Sequence, residues 1–216
     1  AAVQCGSLAA DEHGKLTSIM IDATTATSRY EDHSEAVVKW GGKVYGCENA
    51  SFGYALAPLD ISTPGDMRAP GAATGMNLFE IAIDELAYAA GKDPLEFRMI
   101  NFSDRDPVDD IPYSSKALME AYREGAAKFG WANRSHAPRS MRDGKELIGW
   151  GVATGMWEAL LMQTTARATL QADGMFEIAS AASDIGTGTY TVMAQVAAHS
   201  LGVPVDSVRV KLGDSD

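Results

Sequence analysis

Ser183-Asp184-Ile185-Gly186-Thr187-Gly188-Thr189-Tyr190-Thr191 stands between two segments of different periodicity. Before it, Met175 to Ala182 reads as a strand. After it, Val192, Val196 and Leu201 predict a helix with those residues turned inward. Val208, Val210 and Leu212 then alternate with Ser207, Arg209 and Lys211, the pattern of a half-buried strand. Strand, glycine turn, helix and strand together form a βαβ-like unit. Glycines let a backbone approach a ligand closely, and the first-turn N–H groups of a helix suit an anion, typically phosphate. Thr187, Thr189 and Thr191 add hydroxyl donors. One reading is a nucleotide (NAD)-binding dehydrogenase domain. Against it, Thr191 fills the third glycine position of GxGxxG, so the fingerprint is incomplete. A turn with a purely structural role, in a structural or interaction module, is a second reading.

Upstream, Met162 to Gln171 predicts another strand, joined to Met175–Ala182 by a tight turn at Asp173-Gly174. Leu147 to Ala153 reads as strand too. Residues 132 to 146 are polar and basic, and they mark a boundary between a segment 1–145 and a segment 146–216. In the first segment, Val3 to Leu8 and Leu16 to Thr24 predict a hairpin across Asp11-Glu12-His13-Gly14. Val37–Trp40 and Val44–Tyr54, around Gly41-Gly42, predict a second, weaker pair. Three prolines and three glycines between Ala57 and Gly75 fix a loop. Phe79, Ala82, Ile83, Leu86 and Ala90 form one helical stripe, with Glu80, Asp84 and Tyr88 opposite. Asp93-Pro94 reads as N-cap and first residue of a short helix to about Asn101. Ser114 or Ser115 then caps a helix with the stripe Leu118, Tyr122, Ala126 and Phe129, ended by Gly130. The fold class this predicts is α+β, with mixed sheets and packed helices in two lobes.

Composition excludes several functions. With 18 Lys+Arg against 29 Asp+Glu, the net charge is −11 over 216 residues, a poor match to a phosphate backbone, so no nucleic-acid partner is expected. No apolar run approaches the ~20 residues of a membrane span. Cys5 and Cys47 cannot by themselves hold an iron–sulfur cluster or a four-cysteine zinc site. No two of His13, His33, His136 and His199 share a metal-binding spacing, so four unrelated histidines and no metal ligands are expected. Asp104, Asp106, Asp109 and Asp110 lack the glycine and terminal Glu of an EF-hand and read as a solvated loop. Met67-Arg68-Ala69-Pro70-Gly71 holds an arginine in a Pro/Gly-fixed loop, where its fork of donors suits an oxyanion. The alternative is a surface arginine paired with one of the acids. Pro70 predicts extended geometry at Ala69.

Asp66-Met67-Arg68-Ala69-Pro70-Gly71, Glu80, Asp84-Glu85-Leu86-Ala87 and Gly91-Lys92-Asp93-Pro94-Leu95-Glu96-Phe97-Arg98 with Asn101 occur in one order with Gly149-Trp150-Gly151, Asp184 to Thr189 with Gln195, Leu201-Gly202-Val203-Pro204 and Gly213-Asp214. In this set and order, from about residue 57 to 216, the chain resembles the molybdenum-binding large subunit of the xanthine dehydrogenase and aldehyde oxidase family. The Met-Arg-Ala-Pro-Gly form is similar to its bacterial aldehyde-oxidising branch. The resemblance implies oxidation of aldehydes or N-heterocycles with water as oxygen source. It implies a molybdopterin cofactor, in bacteria usually the cytosine dinucleotide form, with 2Fe-2S and FAD centres on partner subunits. Met67, Arg68 and Ala69 would reach the cofactor, with Arg68 a catalytic residue near the metal's oxygen ligands. Gly186, Thr187, Gly188 and Thr189 would hold its phosphate side, with Thr187 where many relatives carry Gln. The family's Gly-rich loop with Phe and its Gly-x-Gly-Glu general base have no counterpart here, since Glu146, Glu158 and Glu177 stand in other contexts. The chain then reads as an internal fragment, inactive by itself, of a parent in cytoplasm or periplasm.

Overall fold

The computed structural model describes residues 2–157 and 161–213. Glu158 and Asp214, which enter the sequence reading, lie outside them. Contacts divide the chain into two compact units, Ala1–Glu158 and Ala159–Asp216.

The first unit opens with the expected hairpin. β1 (Ala2–Ala10) and β2 (Leu16–Ser28) are antiparallel, with Ala2 opposite Thr25 and Leu8 opposite Ile19. Along β2, Ile19, Ile21 and Ala23 are buried while Met20, Asp22 and Thr24 face outward, the strand's two-residue period. The second hairpin does not form. Gly41-Gly42 lies inside a short helix, α1 (Lys39–Val44), and the strand starts only at β3 (Ala50–Leu59), parallel to β2 from Ile19↔Ala50 to Ser28↔Leu59. Packing explains the difference. A Cβ on Gly41 would lie 2.9 Å from the Phe79 ring, and one on Gly42 would lie 2.5 Å from Phe52. These glycines permit close approach rather than a turn.

α2 (Ala72–Ala89) covers the sheet with Met76, Phe79, Ile83 and Ala87, packed against Leu16, Ile19, Ile21, Trp40, Val44 and Tyr45. α3 (Pro94–Ile100) begins as expected: the Asp93 carboxylate accepts from the N–H groups of Leu95 (2.9 Å) and Glu96 (3.3 Å). Buried Asn101 ties α3 to the first hairpin, accepting from Leu16 N (2.8 Å) and donating to Gly14 O (2.8 Å). Two-residue ribbons follow, β4 (Arg105–Asp106) with β5 (Ile111–Pro112), then β6 (Arg142–Asp143) with β7 (Glu146–Leu147). Between them lies α4 (Leu118–Phe129), closed by Gly130 at φ 83°. Ala117, not a serine, precedes it and supplies no side-chain cap.

The second unit is a three-stranded sheet, order β10-β9-β8, made of β8 (Ala166–Leu170), β9 (Phe176–Ser180) and β10 (Val208–Leu212). β8 and β9 are antiparallel across the Asp173-Gly174 turn, and α5 (Thr189–Leu201) carries the chain to β10, parallel to β9. The βαβ expectation holds, but the antiparallel edge distinguishes this sheet from a doubly wound dinucleotide fold. Val192, Val196 and Leu201 are 54%, 59% and 42% exposed, not inward; Ala198 is the buried residue of α5. Of the expected strand over Leu147–Ala153 only Leu147 lies in a strand, as the second residue of β7. Gly149 to Ala153 are irregular and belong to the first unit because Thr154 is anchored there.

Candidate cofactor-binding loops

The 60–71 loop leaves the carboxyl end of β3, beside the carboxyl end of parallel β2, and turns into α2. Three contacts hold it to the chain that follows β2. Ser28 Oγ meets Thr63 Oγ1 at 2.7 Å, His33 Nε2 lies 3.6 Å from Asp66 Oδ1, and Gly71 comes so close to Ala36 that a Cβ there would stand 2.7 Å from its backbone. Gly71 has φ 72°, open to glycine without strain. Ala69 has φ 57°, not the extended geometry expected before proline. A left-handed alanine costs about 1–2 kcal/mol, so the ties on both sides impose the bend.

The bend presents Met67 and Arg68 outward; both are exposed. Among the described residues no hydrogen bond or ion pair engages the Arg68 side chain, so pairing with a surface acid does not account for it. Its five donors face solvent from a constrained loop.

In the second unit, Gly186 (φ 91°) and Gly188 (φ 80°) bracket Thr187 ahead of α5. Thr187 Oγ1 and Thr189 Oγ1 are 3.2 Å apart, and Thr187 is exposed. A Cβ on Gly188 would meet nothing within 4 Å, so the backbone here is open on its outer side. Asp184 is a neighbour the sequence reading left without a role. Its carboxylate accepts the Gly186 N–H (2.7 Å), and this bond above all, helped by those of Tyr190, Thr187 and Gly188, holds its carboxyl below the ordinary range against the opposing effect of desolvation. The loop's amides thus already bind one carboxylate oxygen. The donors left open to an oxyanion are the Arg68 guanidinium on the first loop and the Thr187 and Thr189 hydroxyls on the second.

A family described as "Molybdopterin cofactor-binding domain" matches residues 2–102, and a second family of the same description matches 124–216. The chain carries stretches of two molybdopterin cofactor-binding domains. The first loop lies in one matched domain and the second in the other. Over 209 residues the chain is 43% identical to the aldehyde oxidoreductase molybdenum-binding subunit PaoC of Escherichia coli K12, covering 96% of this chain and 28% of that protein. It is 28% identical over 216 residues to the xanthine dehydrogenase molybdenum-binding subunit of Escherichia coli O157:H7, covering 95% and 29%. The chain therefore spans less than a third of these relatives. The fold is similar to part of the aldehyde oxidoreductase from Desulfovibrio gigas, with TM-score 0.79 at 21% identity over 97% of this chain and 24% of that one. Quinoline 2-oxidoreductase from Pseudomonas putida 86 gives 0.72 at 19%, covering 97% and 30%.

The first unit also holds a polar network that periodicity did not reveal. Glu80, expected on the outer face of α2, is buried. It accepts from Tyr45 OH (2.8 Å), Arg98 Nε (2.8 Å) and Thr154 N (2.9 Å). Arg98, fully buried, also donates to Asp84 (2.8 Å) and to Pro94 O (2.9 Å). Burial and then the Glu80 charge push the Tyr45 hydroxyl up, so it remains a donor. Asp106 is likewise buried rather than solvated, bound by Lys43 and by the N–H groups of Val108 (2.9 Å) and Asp109 (3.2 Å). The signal that could have found Glu80 and Arg98 was their pairing in the family's motif order, not hydrophobic spacing.

Proposed function

We propose that this chain is part of the molybdenum-binding subunit of a molybdenum hydroxylase that oxidises aldehydes, or N-heterocycles in the alternative, with water as oxygen source. One observation carries the reading: a left-handed Ala69, tied on both sides, holds Arg68 out and unpaired in a chain that carries stretches of two molybdopterin cofactor-binding domains. The 43% identity to an aldehyde oxidoreductase subunit, against 28% to a xanthine dehydrogenase subunit, favours aldehydes. Molybdopterin, in its cytosine dinucleotide form, would be held by Met67, Arg68 and Ala69 at one end and by Gly186, Thr187, Gly188 and Thr189 at its phosphate side. Iron–sulfur and FAD centres on partner subunits would receive the electrons. We take the two lobes as 1–145 and 146–216; the segment 146–157 then crosses to the first lobe as the strap that ends on Glu80.

When bound, the group supplies two-electron oxidation. The chain's own residues supply position and charge. As the carbonyl carbon is attacked, negative charge grows on its oxygen, and a fixed cation there stabilises the transition state more than the ground state. Arg68 meets that requirement with little ordering cost because its loop is already constrained. The Thr187 and Thr189 hydroxyls would donate to phosphate oxygens, while Asp184, which accepts the Gly186 N–H, fixes the turn that presents them.

Arg68→Ala in the whole enzyme should lower kcat by roughly a hundredfold, the usual loss of one preorganised donor, with molybdenum content unchanged. Arg68→Lys, which keeps the charge and loses the fork, should fall between. Unchanged kcat at full molybdenum content would end the catalytic role, and reduced molybdenum content would move Arg68 from catalysis to cofactor retention.

A further inference from the structure

His33, Glu35 and Asp66 come together although no motif joins them. Their ligand atoms lie within 4.8 Å of one another. His33 and Glu35 are two apart on the segment after β2, and Asp66 is on the loop after β3, at the carboxyl ends of adjacent parallel strands, where ligands of such sheets commonly sit. Backbone bonds fix the first two: His33 N donates to Thr27 Oγ1 (3.0 Å) and Glu35 N to Tyr54 OH (3.2 Å).

The decisive detail is the imidazole. His33 Nε2 is buried and has no hydrogen-bond partner, although a carboxylate oxygen stands 3.6 Å away. That is too long for a hydrogen bond. It matches the edge of a zinc tetrahedron, roughly 3.3 Å for ligands at about 2.0–2.1 Å. An imidazole nitrogen within 4.8 Å of two carboxylates is a donor set for a borderline cation rather than for calcium or magnesium, which take oxygen.

We propose that His33, Glu35 and Asp66 form a three-ligand site for a divalent cation of the zinc type, at the base of the 60–71 loop and distinct from the cofactor contacts proposed for Met67, Arg68 and Ala69. Water or a further ligand would complete the coordination. The cation would add a tie between the 60–71 loop and the chain after β2, one that meets the loop two residues before Arg68. Its role is structural: it fixes the base of the loop and leaves the outward face of Arg68 free. The inference does not depend on the proposed enzymatic activity.

The test uses the full-length purified protein, dialysed against EDTA and titrated with Co2+ followed by Zn2+. The expected result is one saturable equivalent of Co2+ with visible absorption, displaced by Zn2+. Asp66→Asn and His33→Ala should each weaken it at least tenfold, since loss of even an outer partner costs about that much. His136→Ala should leave it unchanged. Asp66 is mostly exposed, so its variant keeps the test sound if His33→Ala fails to fold; circular dichroism checks both. Zn2+ should also slow amide exchange in residues 60–66 and 29–35. Absorption that does not saturate, or saturable binding that Asp66→Asn leaves intact, overturns the proposal.

Discussion

Two glycines inside helices should respond to the same substitution in opposite directions. Gly75 is in the first turn of α2, Gly125 in the middle of α4. Intrinsic propensity alone favours alanine at both by up to about 1 kcal/mol. At Gly125 an added Cβ meets nothing within 4 Å, so Gly125→Ala should stabilise by that amount. At Gly75 the Cβ would stand 1.9 Å from the Val37 carbonyl oxygen and 2.9 Å from its carbon. Backbone, not a flexible side chain, is in the way, and the carbonyl would have to withdraw by roughly 1 Å to reach even a 3.0 Å contact. Overpacking costs about 1–3 kcal/mol, and a backbone obstacle belongs at the upper end. Set against the propensity gain, Gly75→Ala should lose about 2 kcal/mol. At about 2–4 °C per kcal/mol for a unit of this size, that lowers Tm by about 4–8 °C, while Gly125→Ala raises it by about 2–4 °C. Thermal unfolding followed by circular dichroism reads both. A Gly75→Ala protein as stable as the parent would show that α2 does not rest on the Val37 backbone.

Arg98→Met should cost about 3–5 kcal/mol in urea unfolding, because it leaves Glu80 charged and buried; adding Glu80→Gln should recover part of the loss, and two additive losses would refute the network. Burial raises the Asp106 carboxyl, but the Lys43 ammonium and two backbone N–H groups outweigh it and hold the group below its ordinary 3.8. Burial lowers Lys43, yet Asp106 and Asp109 hold it above its ordinary 10.5. A lowered acid stabilises above its ordinary value and loses that contribution as pH falls through the folded one; a raised base stabilises below its ordinary value and loses it as pH rises through the folded one. The pair should therefore support the fold between about pH 4 and 10, so the stability gap between parent and Asp106→Asn, measured by urea unfolding, should be full at pH 7 and shrink below pH 4; a gap independent of pH would contradict the pairing.

What the sequence made legible follows from how local each cause is. The β1–β2 hairpin, the Asp93 cap and the Gly130 stop depend on residues within a few positions, and each forms where the pattern places it. α1 was misread because Gly41-Gly42 resembles a turn unless one knows that Phe79 and Phe52, 38 and 10 positions away, press against it. Glu80 and Asp106 were assigned to solvent because their partners, Arg98 with Thr154 and Lys43, come from distant segments. The inward prediction for Val192 and Val196 failed for a different reason: a helical stripe shows that a face is apolar, not that this stretch of chain covers it. Of the site, Arg68 and the Gly186–Thr189 turn stood out by motif, whereas the tie of His33 to Asp66 exists only once β2 and β3 lie parallel.

That parallel pairing also explains why the chemistry-bearing loops lie where they do. Both units share one topology: an antiparallel hairpin, a helical crossover, and a third strand parallel to the second. No repeat is visible in the residues. In each, the loop after the middle strand opens at the carboxyl end of a parallel pair, where neighbouring strands diverge and leave backbone groups for a ligand. The first unit uses this loop, residues 29–38, as a base; it supplies His33, Glu35 and the Ala36 and Val37 backbone on which Gly71 and Gly75 rest. Under the proposed function, the second unit would use its equivalent, residues 181–188, as the binding turn itself. A left-handed alanine persists only where its surroundings over-determine it. In the first unit that excess of constraint is visible: Thr63 held by Ser28 on one side of Ala69, Gly71 pressed on Ala36 on the other. The strain at Ala69 and the freedom of Arg68 are thus two results of one construction, in which the loop after β2 absorbs the constraint and the loop after β3 carries the exposed cation.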